Sequence, residues 1–300
     1  MASPVIIRVY ASSEGVARRA VRAAYDRMHA LEMTLSDWMP ESESNRLEAA
    51  APEAIQISDD LRHAITVSTA LHHDTDGAFD PTIGPLVELW RRTRTTGEMP
   101  GSEEIRDARN RVDPTALELR GSTARIARED VEIDFGAIGK GIALDAASEI
   151  LDAHGLGRHL INFDGEILVG DAPPERTAWQ ITILPAGDED TLVIDAVQAS
   201  VATSGGLNQF FELDGTRYSH IIDPSTGIGT NCARQVTVIC DSATRADALA
   251  TAGCVLETTR FEAILTTRFQ GASAIVMENH GDNTGITMIG DPRVRALDAP

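Results

Sequence analysis

Three stretches of this 300-residue chain carry side chains whose types and spacing suit chemistry. "DFGAIGKGIALD", Asp134 to Asp145, sets glycines around Lys140, the only lysine in the sequence. A Gly-rich turn that opens a helix exposes backbone N–H groups and the positive end of the helix dipole, the usual physical means of holding phosphate. It is not a Walker A motif: only Ala137 and Ile138 separate Gly136 from Gly139, and Gly141 follows Lys140 where Ser or Thr would stand. A purely structural strand-to-helix turn stays open beside a phosphate site. "TRADALATAG", Thr244 to Gly253, puts Asp247 and Thr251 one helical turn apart, so that one face offers a carboxylate and a hydroxyl to a single point. Such hard oxygens suit Mg²⁺, which takes few protein ligands and completes its shell with water and phosphate. The alternative is an Asp that caps its helix and a Thr bonded to its own backbone. In "YSHIIDPSTG", His220 and Asp223 sit at a strand end beside a turn, where a base can meet a ligand or a histidine can simply pack.

The elements that must position these groups follow from periodicity. Val5 to Tyr10 reads as a first strand, and Ser13 is expected to cap a helix with apolar positions Val16, Ala20, Ala24, Met28, Leu31 and Leu35. Ser58, followed by Asp59 and Asp60, opens a second helix through Leu61, Ile65 and Leu71, with Gly77 as its stop. "GAFDPTIGPLVELW" is dense in turn formers, and Arg91 to Arg111 reads as a charged surface excursion with one short helix. "ARIAREDVEIDFG" is strand-like, "GIALDAASEILDAHG" is helical with Gly155 as its C-cap, and "HLINFDGEILVG", "WQITIL" and "TLVIDAV" are strand-like again. A hairpin follows, its turn at Asp214-Gly215 between "FFEL" and "TRYSHII". After "QVTVICD" a helix starts near Ala243, and "ASAIVMEN" and "GITMIG" flank a turn at Gly281 to Gly285. Without a regular βαβ rhythm, the fold class is α+β rather than a doubly wound sheet.

Lys and Arg number 26 against 46 Asp and Glu, a net charge of −20, which argues against nucleic acid or an anionic membrane surface as partner. An anionic ligand therefore needs local positive charge. Cys232, Cys240 and Cys254 form no CxxC pair, so a disulfide framework or structural zinc is not expected and they read as small core residues. The N-terminal apolar run contains Arg8 and Tyr10 and is too short for a signal-peptide core or a membrane span, so a cytoplasmic chain is expected.

Taken in order, the motifs resemble those of the flavin transferase family, the FAD:protein FMN transferases, first described as thiamine-biosynthesis lipoproteins. "LSDWMPESESNRL", "GAFDPTIGPLVELW", "DFGAIGKGIALD", "LINFDGEILVGD", "VATSGGLNQFFELDGTRYSHIIDPSTG" and "ADALATA" carry the likeness, from about Ala30 to Ala274. The resemblance implies an α+β, T-fold-like domain over residues 1–300, divided at most into two lobes with the FAD and Mg²⁺ site between them. It implies an enzyme that moves FMN from FAD to a Thr or Ser hydroxyl of an acceptor protein, releasing AMP with Mg²⁺ required. Carried over by position, Trp38 stacks on the isoalloxazine, and Ala78, Phe79, Asp80, Asp134, Lys140 and Ile222 line the FAD site. The main-chain oxygen of Ala137 and the side chains of Asp247 and Thr251 hold the metal, and His220 is the base. The chain contains no D-x-x-[ST]-G-A-[TS] segment of the acceptor type, so the acceptor is expected to be another protein. An FAD pyrophosphatase yielding FMN and AMP, and a non-catalytic FAD-binding protein, are the alternatives. Four positions depart from the family pattern: Asp164 replaces the first glycine of a pair, Leu207 a common Tyr, Ala250 an Asp of some members, and Glu48 an Asn.

Overall fold

The computed structural model describes residues 4–183, 191–206, 210–213, 215–231, 233–279 and 284–296. The N-terminal part consists of β1 (Val5–Val9), α1 (Glu14–Leu35), α2 (Glu43–Ala49), β2 (Ile55–Gln56), α3 (Asp59–Asp74), α4 (Gly84–Thr96), α5 (Ser102–Asn110), β3 (Leu117–Arg120) and β4 (Thr123–Ile126). After them come α6 (Gly139–Ala153), β5 (His159–Phe163), β6 (Glu166–Val169), β7 (Trp179–Ile183), β8 (Leu192–Ala196) and β9 (Ala199–Gly205). The chain continues with β10 (Phe210–Leu213), β11 (Thr216–Asp223), β12 (Ile228–Asn231), β13 (Arg234–Cys240), α7 (Ala243–Val255), α8 (Thr258–Arg268), β14 (Ser273–Asn279), β15 (Thr284–Ile289) and β16 (Val294–Ala296).

A seven-stranded antiparallel sheet in the order β1-β5-β6-β9-β13-β14-β15 forms the centre. Side chains alternate across it as the pleat requires. Ile161, Leu168, Ala202, Val236 and Val276 meet the apolar faces of α1, α6 and α7, while Val169, Val201, Ile275 and Met277 meet Trp179, Ile181 and Ile194 of the small sheet β16-β8-β7. Because both faces are covered, β13 and the first five residues of β14 are buried almost continuously rather than at alternate positions. A third cluster, Leu86, Leu89, Trp90, Ala108 and Ile222, joins α4 and α5 to β11.

Several sequence expectations hold and others change. α1 buries Ala20, Ala24, Met28, Leu31 and Leu35, but Ser13 makes no side-chain capping bond, so packing rather than a cap holds that end. Ser58 does cap α3, accepting from Leu61 N, and Gly77 follows the helix at φ +83°. The stretch from Arg91 to Arg111 is not a surface excursion with one helix: α4 runs on to Thr96, Gly97 ends it in the left-handed conformation, and α5 follows. Arg92, Arg94, Arg106 and Arg109 lie on the solvated faces of two amphipathic helices, tied by Arg92 Nη2 to Glu104 Oε1 at 2.5 Å, while Leu86, Leu89 and Trp90 face inward. The strand expected up to Asp134 ends at Ile126, where Arg128 turns the chain by pairing with Asp130 and Asp113. Cys240 and Cys254 are free and buried, which pushes their thiols up to about 11 and about 12. Asp214 of the hairpin turn, residues 281–283 of the last turn, Leu207 and Cys232 lie outside the described residues.

The crossing of α6 and α7 sets the geometry of everything below. A Cβ on Gly141 would lie 2.5 Å from Ala243 O and 2.6 Å from Thr244 Cα, so only glycine permits this approach. Asp145, one turn further along α6, accepts from Ala243 N at 2.8 Å, Thr244 N at 3.0 Å, Ser242 Oγ at 2.9 Å and Thr244 Oγ1 at 2.7 Å. A carboxylate from one helix thus satisfies the open N–H groups of the next and complements its dipole.

Candidate active site

With α7 held this way, Asp247 projects back to α6 and its Oδ2 accepts from Gly141 N at 3.1 Å. The helix cap is Ser242, whose side chain accepts from Arg245 N, so Asp247 does not cap α7. It is 3% exposed, and burial raises its pKa against the opposing pull of Lys140 and Gly141 N. Lys140, in the first turn of α6, forms an ion pair with Glu166 Oε1. Burial alone would lower the lysine, but Glu166, Asp247 and Asp164 outweigh it and hold its pKa raised. Glu166 is buried too, and burial with Asp247 facing it pushes its carboxyl up. Its carboxyl lies against that of Asp247, and its Oε2 meets no N–H or O–H donor among the described residues. Two buried carboxylates thus share one ammonium, a cluster that is short of positive charge. Thr251 Oγ1, one turn beyond Asp247, lies 3.2 Å from Ser204 Oγ.

Glu166 is a site residue that the sequence reading missed. It follows Asp164-Gly165, the two-residue turn between β5 and β6, in which both residues have positive φ, 54° and 94°. Asp-Gly is a preferred pair for that turn, so Asp164 is absorbed in place of a glycine without disturbing the hairpin. The available signal was a single acid at the head of an otherwise apolar strand.

A second group surrounds Trp38, in the connection after α1. The indole is 67% exposed and carries the Arg91 guanidinium 4.2 Å from its ring centroid. Arg91 Nη2 lies 2.5 Å from Asp37 Oδ2 and 3.9 Å from Asp134 Oδ2. Asp134 is held by Gly136 N, which donates to Oδ1 at 2.5 Å, and by its own N–H to Pro81 O at 2.8 Å. Burial, then Asp37, raises its pKa. Beneath it Glu48 Oε1 accepts from Ile133 N at 2.6 Å. Burial, helped by Glu132, Asp134 and Asp37, pushes Glu48 up to about 7 from an ordinary value of 4.5.

That shift gives a pH dependence with a definite sign. The folded protein holds a proton on Glu48 that the unfolded chain releases near 4.5, so the contribution of Glu48 to stability is fully present below that pH and is lost as pH rises to about 7. Glu48→Gln is expected to flatten the melting temperature against pH across this window. A slope as steep as the parent's would show that Glu48 is not the titrating group.

The third group is the turn after α3. Ala78 and Phe79 are buried, and the Phe79 ring lies in the main core, so only backbone is left to face a ligand there. Asp80 accepts from Thr82 N at 2.8 Å and Thr82 Oγ1 at 2.6 Å, and His72 Nδ1 lies 3.3 Å from its Oδ2 and 3.1 Å from Phe79 O. A cavity of about 350 Å³ opens beside it, lined by Asp80, Arg106, Arg109 and Ser225 among others. Across from this turn β11 carries His220, exposed, and Ile222, buried against Trp90 and Leu86. The pairing with β12 shifts register between Tyr218 and Ile222, which buries Ile221 and Ile222 together and breaks the alternation beside His220. β11 packs on α7, the helix of Asp247 and Thr251.

The three groups are linked by the backbone of Asp134 to Lys140, with Pro81 O on one side and α7 on the other. Ala137 lies midway, and its carbonyl oxygen accepts no hydrogen bond among the described residues. Asp247, Thr251 and that carbonyl are hard oxygen donors of the kind Mg²⁺ takes, and Glu166 adds a buried carboxylate against Asp247, so the residue types present fit that ion. The exposed Trp38 face fits a planar ring system.

Comparison with solved structures gives the class. The chain matches the crystal structure of the Pseudomonas stutzeri flavinyl transferase ApbE, apo form, with a TM-score of 0.83 and 28% identity, covering 95% of this chain and 90% of that one. The crystal structure of the ApbE protein of Thermotoga maritima gives 0.80 and 28%, covering 94% and 92%. The α+β architecture is thus that of the flavin transferases. The FAD:protein FMN transferase of Treponema pallidum is 31% identical over 314 residues, covering 98% of this chain and 86% of that protein. That of Escherichia coli is 28% identical over 238 residues, covering 76% and 67%. Residues 1–276 match the ApbE family, and the chain belongs to it.

Proposed function

We propose that the protein is an FAD:protein FMN transferase that attaches the FMN half of FAD to a Thr or Ser hydroxyl of a separate acceptor protein, with AMP as leaving group and Mg²⁺ required. The observation that carries this reading is the buried pair Glu166 and Asp247 sharing the single lysine at the start of α6, on a helix pair that β11 abuts. A diphosphate on a chain of net charge −20 needs local positive charge, of which the N-terminus of α6 and Lys140, itself paired with Glu166, supply part and a bound cation would supply the rest. The Ala137 carbonyl, Asp247 and Thr251 would hold Mg²⁺, which when bound neutralises phosphate charge. Trp38 takes the isoalloxazine on its ring; the backbone of Ala78 and Phe79, with Asp80, Asp134 and Ile222, borders the rest of FAD. The site lies between the sheet-and-helix body and the lobe of α4, α5 and β11.

In the reaction the acceptor oxygen bonds to the phosphorus on the FMN side, the P–O bond to AMP breaks, and the electron pair leaves on AMP. His220 receives the proton of the attacking hydroxyl. Positioning and charge neutralisation, not covalent catalysis, are what such a transfer asks of the protein. The test is incubation with FAD, Mg²⁺ and a peptide bearing the acceptor motif, read by mass spectrometry. A peptide heavier by one FMN less one water is expected. Free FMN alone would indicate a pyrophosphatase, and intact FAD a binding protein; either result removes the proposal.

A further inference from the structure

We infer that Arg91 is a positioning residue for the flavin ring: clamped by Asp37 and near Asp134, its guanidinium backs one face of Trp38 and leaves the other face preset for stacking. The inference rests on the proposed flavin-binding role of Trp38. That indole lies outside any helix or strand and is 67% exposed, so by itself it would sample several rotamers and lose that freedom when a ligand stacks. Arg91 removes the problem beforehand. Its backbone is fixed, because the preceding Trp90 is buried and its Nε1 donates to Gly227 O at 2.8 Å. From there the guanidinium lies 4.2 Å from the Trp38 ring centroid, while Nη2 reaches Asp37 Oδ2 at 2.5 Å. Asp134 Oδ2, at 3.9 Å, adds a second carboxylate.

A guanidinium can stack over an indole while its N–H groups bond a carboxylate at its edge, and lysine does not reproduce both contacts. No other cation and no aromatic ring lies against Trp38 among the described residues. Arg91 thus meets the platform and not the reacting phosphorus, so its loss weakens flavin binding and spares the chemical step.

The test is FAD titration by flavin fluorescence quenching, with steady-state kinetics, for the parent, Arg91→Met, Arg91→Lys, Trp38→Leu and the double variant Arg91→Met/Trp38→Leu. Arg91→Met keeps the aliphatic stem and is expected to weaken FAD binding about tenfold, the upper range of a cation–π contact, and to raise KM with kcat unchanged at saturating FAD. Arg91→Lys recovers part of the loss, and the double variant is no worse than Trp38→Leu. Normal affinity in Arg91→Met beside weakened affinity in Trp38→Leu overturns this inference alone. Tighter binding in Arg91→Met overturns it as well, since the guanidinium would then occupy the flavin's place. A loss of kcat and melting temperature together in Arg91→Met reduces Arg91 to a structural residue. Unchanged affinity in Trp38→Leu removes the flavin-binding role of Trp38 itself.

Discussion

Asp247→Asn raises the Mg²⁺ concentration needed for half-maximal transfer and lowers turnover by ~10²-fold or more, the scale of removing one electrostatic stabiliser. The substitution keeps the shape and the acceptor for Gly141 N, which donates to Oδ2 at 3.1 Å, but removes the charge opposite Lys140 and Glu166. Metal-free stability should barely change or should rise, because a buried carboxylate crowded by a second one is costly to keep ionised. A helix-capping role would give the reverse pattern: lost stability and unaltered metal dependence. That role is already disfavoured by Ser242, which caps α7, and by Asp145, which accepts from Ala243 N and Thr244 N. Activity against Mg²⁺ concentration, measured alongside melting temperature, separates the two patterns. Unchanged metal dependence would take Asp247 out of the site.

His220→Gln is expected to cut the transfer rate by ~10²–10⁴-fold, the range for loss of a positioned general base, with FAD affinity kept. His220 is exposed at a register shift of β11, whereas Ile221 and Ile222 are buried, so the substitution leaves the strand's packing intact. Single-turnover transfer with FAD preloaded isolates the chemical step. A parent-like rate there would show that the acceptor proton goes elsewhere.

Much of this architecture was legible in the sequence because local pattern and tertiary role agree. The buried stripe of α1, the cap and stop of α3, the Asp247/Thr251 face and the strands around Asp164-Gly165 are all set within a few residues. What escaped notice depends on distant partners. Arg91 reads as surface charge until Trp38 and Asp37 are brought beneath it, and α4 and α5 read as an excursion because their polar faces dominate the composition. Glu166 reads as one acid in a strand until the hairpin swings it against Lys140, which lies in another element altogether. Ser13 shows the opposite failure: a good capping residue in the right place, with no bond made because the helix is already held by its packed face.

The most direct measurement of the central claim is the fate of the phosphoryl group in ¹⁸O-enriched water, with FAD, Mg²⁺ and an acceptor peptide present in excess. Transfer to the peptide hydroxyl is expected to give one flavinylated peptide for each AMP, with no ¹⁸O in either phosphate. AMP formed together with free FMN carrying ¹⁸O would mean that water, not a protein hydroxyl, is the acceptor, and would contradict the assignment.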